Sequence, residues 1–303
     1  MRPRITVRVP GSTSNLGAGF DCVGLAVPRW LTLTVEPSRA AGTVERLGTL
    51  SGMRVPYEDD LLVRGCAAAA RAVGKQLPAL ALTADSEIPV ARGLGSSAAA
   101  VVAGAVATTA LLELGLGDAA IAELASGIEG HPDNVAPMVH GGATLALPHA
   151  GAALEIIRLP IHDSLAFVFA VPDFTVETKR ARAALPATLP HAVAAEAAAR
   201  GAALVHGLAN GEPRALVAGL DDVLHVPFRR ALVKGYDDVV GAAKSAGAFG
   251  ATLSGSGPTI VAVTTAVRVQ LVGDAMRRAW DGVGVHTEVF HVTRPSGRYE
   301  ILA

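Results

Sequence analysis

The sequence predicts an α+β protein of two domains, and its composition and its pattern of elements carry this prediction. Half of the 303 residues are hydrophobic and 17% are charged, which is typical of a globular chain with a large core. Strand-like and helix-like segments are interleaved without the strict strand-helix repeat of a parallel sheet. We expect an N-terminal domain over 1–153 and a C-terminal domain over 154–303, with the boundary at the stretch from His149 to Ala153.

Alternating apolar residues predict the strands, and longer apolar runs at helical spacing predict the helices. In the first half the predicted strands are 5–9, 31–35, 79–84 and 143–147, and the predicted helices are 61–73, 97–114 and 117–127. In the second half the predicted strands are 165–171, 260–263 and 285–292, and the predicted helices are 192–208, 213–220, 236–245 and 267–280. Residues 250–253 are expected to lead into a glycine-rich loop. No internal repeat interrupts this order.

Charge and cysteine usage exclude several classes of protein. The net charge is −1, so the composition does not favour a nucleic-acid or membrane partner. The sequence has no pattern of a signal peptide and no apolar run of membrane length, and we therefore expect a cytoplasmic protein. Cys22 and Cys66 are isolated in apolar surroundings, which predicts small buried side chains in a reducing compartment rather than a disulfide or a metal site.

The most informative segment is a glycine-serine turn, PVARGLGSSAAA over 89–100, which leads directly into a small apolar helix. Such a turn aims unpaired backbone N–H groups and the positive end of the helix at one point, which predicts an anion site for a nucleoside triphosphate. Gly93 and Gly95 allow the backbone to approach a ligand, and Ser96 and Ser97 add hydroxyl groups. The spacing matches neither a Walker A loop nor a dinucleotide fingerprint. A serine-capped buried helix is the simpler alternative.

Two further glycine-rich segments belong to the same pattern. VPGSTSNLGAGFD covers 9–21, and GAFGATLSGSGP covers 247–258. Together with the turn at 89–100, and in this order, they resemble the three signature motifs of the GHMP small-molecule kinases. The resemblance extends over nearly the whole chain.

This resemblance implies both a fold and an activity. The implied fold has an N-terminal domain similar to domain 2 of ribosomal protein S5 and a ferredoxin-like C-terminal domain, with the active site between them. The implied activity is that of the branch that acts on L-homoserine, namely ATP-dependent phosphorylation of its side-chain hydroxyl to O-phospho-L-homoserine in threonine biosynthesis. ATP and Mg²⁺ are implied cofactors, and a homodimer is a further expectation because many members are dimers.

The resemblance also implies which residues hold the nucleotide and the metal. The implied ATP-binding residues are Pro89, Val90, Ala91, Arg92, Gly93, Leu94, Gly95, Ser96, Ser97, Ala98 and Ala99. Ser97 and Glu123 match the family's Mg²⁺ pair, and oxygen ligands of this kind suit a hard cation. Glu129 is nearer the 131–134 loop and is the second candidate. The third segment is expected to close against the nucleotide through Ser254, Gly255, Ser256 and Gly257.

Three residues of the first half are implied to contact the amino-acid substrate. They are Asn15, Asp21 and His131. An aspartate carboxylate is a natural partner for a substrate ammonium group. The sequence alone also allows Asn15 as a turn residue, Asp21 as a cap and His131 as a buried histidine.

Asn134 and Thr178 are the implied catalytic residues. Many GHMP kinases carry an aspartate base at the position of Asn134, but the L-homoserine branch carries asparagine, as this chain does. Asparagine cannot accept a proton at neutral pH, and the neighbouring Asp133 is not the residue that the branch places at the hydroxyl. We therefore expect catalysis by orientation, metal charge and anion-binding donors, with Thr178 facing the reacting hydroxyl.

Arg182 and Arg229 are implied to bind the substrate carboxylate, for which arginine supplies a two-pronged donor. By itself an arginine near a helix end is usually a surface charge, and Arg180 is the alternative to Arg182. A GHMP kinase for another alcohol would be favoured by an acid at position 134 and by the absence of the two arginines. A non-catalytic nucleotide-binding protein of the same fold would be expected to have lost the metal or phosphate residues. A nucleic-acid-binding role lacks a basic patch interleaved with aromatic residues.

Overall fold

A computed structural model describes residues 2–147 and 153–302, and two β-sheets organise them. The strands are β1 (Ile5–Asn15), β2 (Gly19–Pro37), β3 (Thr43–Gly48), β4 (Leu80–Ser86), β5 (Ala143–Leu147), β6 (Glu155–Leu159), β7 (Leu165–Pro172), β8 (Gly250–Leu253), β9 (Ile260–Thr265), β10 (Thr287–Val292) and β11 (Glu300–Ile301). The helices are α1 (Leu61–Ala72), α2 (Ser96–Leu112), α3 (Asp118–Glu129), α4 (Val135–His140), α5 (Thr178–Ala183), α6 (His191–Asn210), α7 (Pro213–Gly219), α8 (Val226–Arg229), α9 (Tyr236–Ser245) and α10 (Val269–Gly282). Short 3₁₀ turns cover Tyr57–Asp59, Arg230–Leu232 and Ala266–Arg268.

The first sheet is built around the long strand β2. Its strand order is β11-β1-β2-β4-β3, and β5 and β6 extend it from the start of β2. The strands β1 and β2 form an antiparallel hairpin whose paired residues continue to Asn15 and Gly19. The first glycine segment is therefore mostly strand rather than loop, and its tight turn at 16–18 holds Asn15 and Asp21 close together.

Helices α1 and α2 cover this sheet with their backbones in contact. A Cβ atom on Gly104 of α2 would lie 2.0 Å from the Leu62 carbonyl oxygen, and one on Gly65 of α1 would lie 2.2 Å from the Val101 carbonyl oxygen. Only glycine permits this approach, because any side chain there would overlap the neighbouring backbone. The contact fixes the N-terminus of α2, and with it the glycine-serine turn, beside the start of α1.

The second sheet has the strand order β10-β7-β9-β8, and all of its pairings are antiparallel. The succession of strands and helices from β7 to β10 is that of a ferredoxin-like domain. Every residue of β7 is buried. Successive side chains of a strand point to opposite faces, so Phe167 and Phe169 join the core of the first sheet, whereas Val168 and Ala170 pack under α9 and α10.

This architecture confirms the α+β class and the ferredoxin-like second half. The first sheet also takes β6 and β11 from beyond the boundary expected after residue 153. The stretch 149–152 of that boundary lies outside the described residues, and the division into two domains stays a prediction. Several short elements were not predicted from the sequence, because a short segment shows little periodicity. They are β3, β6, β8, β11, α4, α5 and α8.

The two cysteines are free thiols, as the sequence predicted. Cys66 is completely buried in the core of the first sheet, and burial raises the pKa of its thiol to about 12. Burial also raises the pKa of the half-buried Cys22 to about 11. Both thiols therefore stay protonated and unreactive at neutral pH. None of the described helices combines the length and the apolar character needed to cross a membrane.

Candidate active site

A cavity of about 560 Å³ lies where the three glycine-rich segments meet, and we call it the central cavity. It is lined by residues from both halves of the described chain. The predicted site residues that line it are Asn15, Asp21, Val90, Ala91, Arg92, Gly93, Gly95, Ser96, Ser97, His131, Asn134, Thr178, Arg182, Arg229, Gly255 and Ser256. Folding thus gathers residues that are up to 241 positions apart in the chain.

The glycine-serine turn forms one wall of the cavity. Gly93 and Gly95 have φ values of 75° and 73°, a left-handed conformation that favours glycine. Helix α2 starts directly after Gly95, so its unpaired N–H groups and its positive dipole end face the cavity. Of the predicted ATP-binding set, Leu94, Ala98 and Ala99 have side chains buried in the core, and neither they nor Pro89 line the cavity.

The two oxygen-bearing side chains that the structure brings together differ from the pair that was predicted to bind Mg²⁺. The Ser97 hydroxyl donates to Glu129 Oε2 at 2.7 Å. Glu123 is exposed and does not line the cavity, because it lies six residues earlier on α3, a rise of about 9 Å along the helix axis. The structure therefore brings Glu129, the residue placed second, and not Glu123 to Ser97, and a metal role for either glutamate stays a prediction.

Glu129 is the last residue of α3 and lines the cavity beside the turn. Burial raises the pKa of Glu129, although the hydrogen bond from Ser97 opposes the shift. A carboxylate that is costly to keep charged gains free energy from a cation that neutralises it. The structure therefore places a hydroxyl and a carboxylate, oxygen groups of the kind that a hard cation prefers, beside the glycine-serine turn.

The third glycine segment binds the other two segments together. The Ser254 hydroxyl contacts the Gly93 carbonyl oxygen at 2.6 Å and Thr13 Oγ1 at 2.8 Å. A Cβ atom on Gly93 would lie only 2.1 Å from the Ser254 carbonyl oxygen, so the two backbones touch. Ser254 is fully buried and, like Gly257, lies outside the cavity wall, whereas Gly255 and Ser256 line it.

Asn15 connects the first segment to the third one. Its amide Nδ2 donates to the Gly255 carbonyl oxygen at 3.0 Å, and its Oδ1 accepts from the backbone N–H of Asp21 at 2.9 Å. Asn15 and Asp21 both have left-handed backbone, with φ values of 71° and 56°. Non-glycine residues rarely hold this conformation, and the hydrogen bond from the Asp21 backbone N–H to Asn15 Oδ1 stabilises it.

Asn134 lines the cavity, and both the oxygen and the nitrogen of its side-chain amide form hydrogen bonds. Its Oδ1 accepts from the Ser12 hydroxyl at 2.8 Å, and its Nδ2 donates to Ser14 Oγ at 3.2 Å and to Asp133 Oδ1 at 3.3 Å. Ser12, Ser14 and Asp133 were not predicted as site residues, and the only signal for the two serines was the polar STS run inside the first segment. The amide of Asn134 is thus held in one orientation.

His131 and Asp133 form a close pair at the end of the same loop. Nδ1 of His131 lies 2.5 Å from Asp133 Oδ1, and both side chains are nearly buried. Burial lowers the pKa of His131, but the hydrogen bond and the charge of Asp133 outweigh it, so the net pKa is raised. The pair places a positive or hydrogen-bonding group in the cavity wall.

The two predicted arginines have different surroundings. Arg182 donates two hydrogen bonds to the Asp21 carboxylate, at 2.9 and 3.2 Å, and both side chains are about one third exposed (37% and 35%). Thr178, one turn earlier on α5, contacts Ser256 Oγ at 3.4 Å. Arg180, the alternative to Arg182, is exposed and does not line the cavity.

Arg229 is the most deeply buried cation of the site, with a relative exposure of 3%. Its Nε donates to the Ala181 carbonyl oxygen at 3.1 Å, its Nη1 approaches His225 Nδ1 at 3.4 Å, and its guanidinium lies 5.2 Å from the Phe20 ring centroid. Burial, followed by the charge of Arg182, lowers the pKa of Arg229. Among the described residues, no carboxylate forms an ion pair with it, and His225 was missed by the sequence analysis.

Comparison with known protein families gives two matches. The model of the GHMP kinases N terminal domain matches residues 60–142, and that of the GHMP kinases C terminal domain matches residues 204–282. The first range contains the glycine-serine turn, and the second contains Arg229 and the third glycine segment.

Curated relatives match over nearly the full length. A homoserine kinase of Picosynechococcus sp. is 40% identical over 93% of this chain and 93% of its own, and one of Trichormus variabilis is 38% identical over 94% of both. Among solved structures, a homoserine kinase of Cytophaga hutchinsonii superposes with a TM-score of 0.89 at 28% identity, covering 100% of this chain and 98% of its own. The mevalonate kinase of L. major, at 16% identity, 96% coverage of both chains and a TM-score of 0.71, shares the fold.

Proposed function

The chain belongs to the GHMP kinases, within them to the homoserine kinases, and we propose that it transfers the γ-phosphoryl group of ATP to the side-chain hydroxyl of L-homoserine. The products are O-phospho-L-homoserine and ADP, and the reaction is a step in threonine biosynthesis.

The observation that carries the amino-acid assignment is the unpaired charge of Arg229. A buried guanidinium without a carboxylate partner among the described residues is costly. A ligand carboxylate would remove that cost, and the planar guanidinium can bind it through two parallel hydrogen bonds. We therefore assign the α-carboxylate of L-homoserine to Arg229.

The pair of Asp21 and Arg182, each about one third exposed, would bind the ammonium group of L-homoserine and assist in binding its carboxylate. The Asp21 carboxylate accepts only two hydrogen bonds from Arg182, so it keeps lone pairs for an ammonium group. Arg182 would add a second donor for the substrate carboxylate. Asn15 orients Asp21, and His131 would close the same side of the cavity.

The phosphate groups of ATP would lie on the glycine-serine turn. Its left-handed glycines and the N-terminus of α2 supply backbone N–H donors and a positive dipole at the cavity wall. Ser96 and Ser97 add hydroxyl donors, and Gly255 and Ser256 face the same space from the third segment. Oriented donors of this kind stabilise the charge that develops during phosphoryl transfer.

The residues present fit Mg²⁺ with one carboxylate and one hydroxyl. The Ser97 and Glu129 oxygens lie 2.7 Å apart, and Mg²⁺ commonly combines one or two protein oxygens with phosphate oxygens and water. No cluster of three or more His, Cys, Asp or Glu residues that would hold a metal by itself occurs in the parts of the chain described, 2–147 and 153–302. Mg²⁺ bound there would neutralise negative charge on the transferring phosphates.

The acceptor hydroxyl would lie between Asn134 and Thr178, without a general base at either position. Both ends of the Asn134 amide are already engaged by Ser12, Ser14 and Asp133, and an amide does not accept a proton at neutral pH. Because phosphoryl transfer has a loose transition state, orientation and electrostatic stabilisation can supply most of the acceleration.

The direct test is ADP release with Mg-ATP and a panel of acceptors, namely L-homoserine, L-threonine, L-serine, mevalonate and galactose. Preferential turnover of L-homoserine is expected. Preferential turnover of another alcohol would support a kinase activity but would contradict the assignment of Arg182 and Arg229 to the carboxylate of L-homoserine. ATP binding without turnover of any acceptor would favour a non-catalytic nucleotide-binding protein.

Two expectations from the sequence remain predictions. The cytoplasmic location can be checked by cell fractionation, and the homodimer by light scattering coupled to size-exclusion chromatography. A monomeric mass at assay concentration would contradict the dimer.

A further inference from the structure

His225 is a buried histidine that the assignments above do not use. Its relative exposure is 0%, and it stands at the N-terminus of α8, four residues before Arg229. Its Nε2 lies 3.2 Å from the Gly17 carbonyl oxygen, and its Nδ1 lies 3.4 Å from Arg229 Nη1. Its ring stacks on Phe20 at 5.1 Å between centroids. The imidazole therefore bridges the turn of the first glycine segment and the most buried arginine of the cavity.

The two partners determine the protonation state of the ring. A backbone carbonyl can only accept, so Nε2 must carry the proton that it donates to Gly17. A guanidinium can only donate, so Nδ1 must be an unprotonated acceptor toward Arg229. A neutral ring protonated on Nε2 alone satisfies both contacts.

The surroundings of the ring hold it in place. Asp222 Oδ2 accepts the backbone N–H groups of His225 and Val226, each at 2.7 Å, and thereby anchors the start of α8. Burial lowers the pKa of His225, which agrees with the neutral ring. The charged groups that act on it are Asp222, Arg229 and Asp21.

We infer that His225 is a positioning residue that sets the guanidinium of Arg229 for the substrate carboxylate. The inference rests on the proposed function, since it is Arg229 that would bind that carboxylate. The Ala181 carbonyl oxygen holds Nε and His225 Nδ1 holds Nη1, which leaves Nη2 and the second N–H of Nη1 for a ligand. Restraining the guanidinium before binding lowers the entropy that binding must overcome.

Two substitutions distinguish the contact of Nδ1 with Arg229 from the contact of Nε2 with Gly17. His225→Asn keeps a side-chain oxygen near the position of Nδ1 and so keeps an acceptor for Arg229, but it loses the contact with Gly17. His225→Gln reaches the position of Nε2 and keeps the contact with Gly17, but it presents no acceptor to Arg229. Both variants lose the stacking on Phe20, so each controls for the other.

We expect His225→Gln to raise the KM for L-homoserine about tenfold, because a hydrogen bond to a charged group is lost. The kcat and the KM for ATP should remain within about twofold of wild type, and His225→Asn should raise the KM for L-homoserine less than about threefold. Equal effects of the two variants, or a loss confined to kcat, would overturn the inference.

A double-mutant cycle with Arg229→Ala tests whether the histidine acts through the arginine. In that background His225→Gln should cause no further rise in the KM for L-homoserine. Additive effects would show that His225 acts by another route. If the wild-type protein turns over L-homoserine and the cycle is additive, the inference fails and the proposed function stands.

A spectroscopic measurement tests the inference without relying on activity. The ¹⁵N shifts of the His225 ring at pH 7, assigned by comparison with His225→Gln, should show a neutral ring protonated on Nε2. Its Nδ1 shift should change in Arg229→Ala. A charged ring, a proton on Nδ1 or an unchanged shift would contradict the inference even if L-homoserine proved to be the wrong substrate.

Discussion

The two ends of the central cavity are built in different ways. The end where we propose that the phosphates bind, called the phosphate end, comes mainly from one continuous segment, the glycine-serine turn, and it offers backbone N–H groups and hydroxyls. The end where we propose that the amino acid binds, called the acceptor end, comes from side chains of four distant segments, and it offers charges. A phosphate presents many equivalent oxygens, so a helix N-terminus can bind it with little side-chain specificity. An amino acid has a carboxylate and an ammonium group at fixed positions, so it needs charged side chains placed separately.

The acceptor end is itself divided between a paired and an unpaired arginine. Arg182 is 37% exposed and shares its charge with Asp21, whereas Arg229 is 3% exposed and has no such partner among the described residues. Exposed ion pairs contribute little free energy, but a buried unpaired charge gains much from a ligand of opposite charge. On the proposed assignment, Arg229 would provide affinity for the substrate carboxylate, and the pair of Arg182 and Asp21 would provide selectivity for a zwitterion.

The largest effect is expected at the phosphate end, where backbone contact leaves no room for a side chain. Gly93→Ala would place a Cβ atom 2.1 Å from the Ser254 carbonyl oxygen at a φ of 75°. We expect kcat/KM for ATP to fall more than about 100-fold, because the turn and the third segment must separate. The matched control is Gly241→Ala in α9, where nothing lies within 4 Å of the added atom. Normal kinetics in Gly93→Ala would show that the turn is not the phosphate site.

The second largest effect is expected at Ser97 and Glu129, the proposed ligands of Mg²⁺. Glu129→Gln removes the charge beside Ser97, and we expect kcat/KM at limiting Mg²⁺ to fall about 100-fold. Glu123→Gln on the same helix is the control and should stay within about twofold of wild type, since Glu123 lies outside the cavity. The rates of both variants would be measured as a function of the Mg²⁺ concentration. A larger loss in Glu123→Gln would restore the pairing expected from the sequence.

At the acceptor end, Arg229→Ala removes the unpaired cation. We expect the KM for L-homoserine to rise about 30-fold with the KM for ATP nearly unchanged, because charged hydrogen bonds to the carboxylate are lost. Arg180→Ala removes an exposed arginine outside the cavity and is the control. Steady-state kinetics with each substrate varied would measure the split. An unchanged KM for L-homoserine in Arg229→Ala would rule out its carboxylate role.

A smaller effect is expected where the two ends meet, at Asn134. Asn134→Asp places a negative charge 3.3 Å from Asp133 Oδ1 and removes a donor, so we expect kcat to fall about tenfold. Asn210→Asp, on the exposed end of α6, supplies the same chemical change away from the cavity. Single-turnover rates compare the two. Wild-type rates in Asn134→Asp would show that this position is remote from the reacting hydroxyl.

The smallest expected effect is a dependence of the free energy of unfolding on pH. Burial lowers the pKa of His225 in the folded protein below its ordinary value of 6.5. As the pH falls below that ordinary value, the unfolded chain takes up a proton that the folded chain does not, so the free energy of unfolding decreases. One proton limits the slope to about 1.4 kcal/mol per pH unit. The stability is therefore present above the ordinary pKa and is lost on acidification.

Urea unfolding of wild type and His225→Asn between pH 8 and pH 5 would measure this slope. The variant should lose less stability on acidification than wild type, and His291→Asn, which removes an exposed histidine, should behave as wild type. The groups that face His225 are Asp222, Arg229 and Asp21, and they are unchanged in both variants. Equal slopes in wild type and His225→Asn would contradict the lowered pKa.

Most of the phosphate end could be predicted because its information is local. The left-handed glycines, the serine hydroxyls and the start of α2 are consecutive in the chain, so the sequence alone determines their geometry. The long elements were predictable for the same reason, since burial of one face imposes a regular period. The acceptor residues were named through the family resemblance, and their roles stay proposals.

Tertiary structure decided which of several equivalent residues reach the cavity. Glu123 and Glu129 lie on one helix, and only the packing of α3 beside the start of α2 brings Glu129 to Ser97. Likewise, the sequence alone allowed either Arg182 or Arg229 as a surface charge, and only the contacts with Ala181 and His225 show that Arg229 is buried. The sequence by itself thus determined the fold class and the geometry of the glycine-serine turn, because these depend on neighbouring residues. Burial and charge pairing depend on contacts between distant segments, so only the folded chain could decide them.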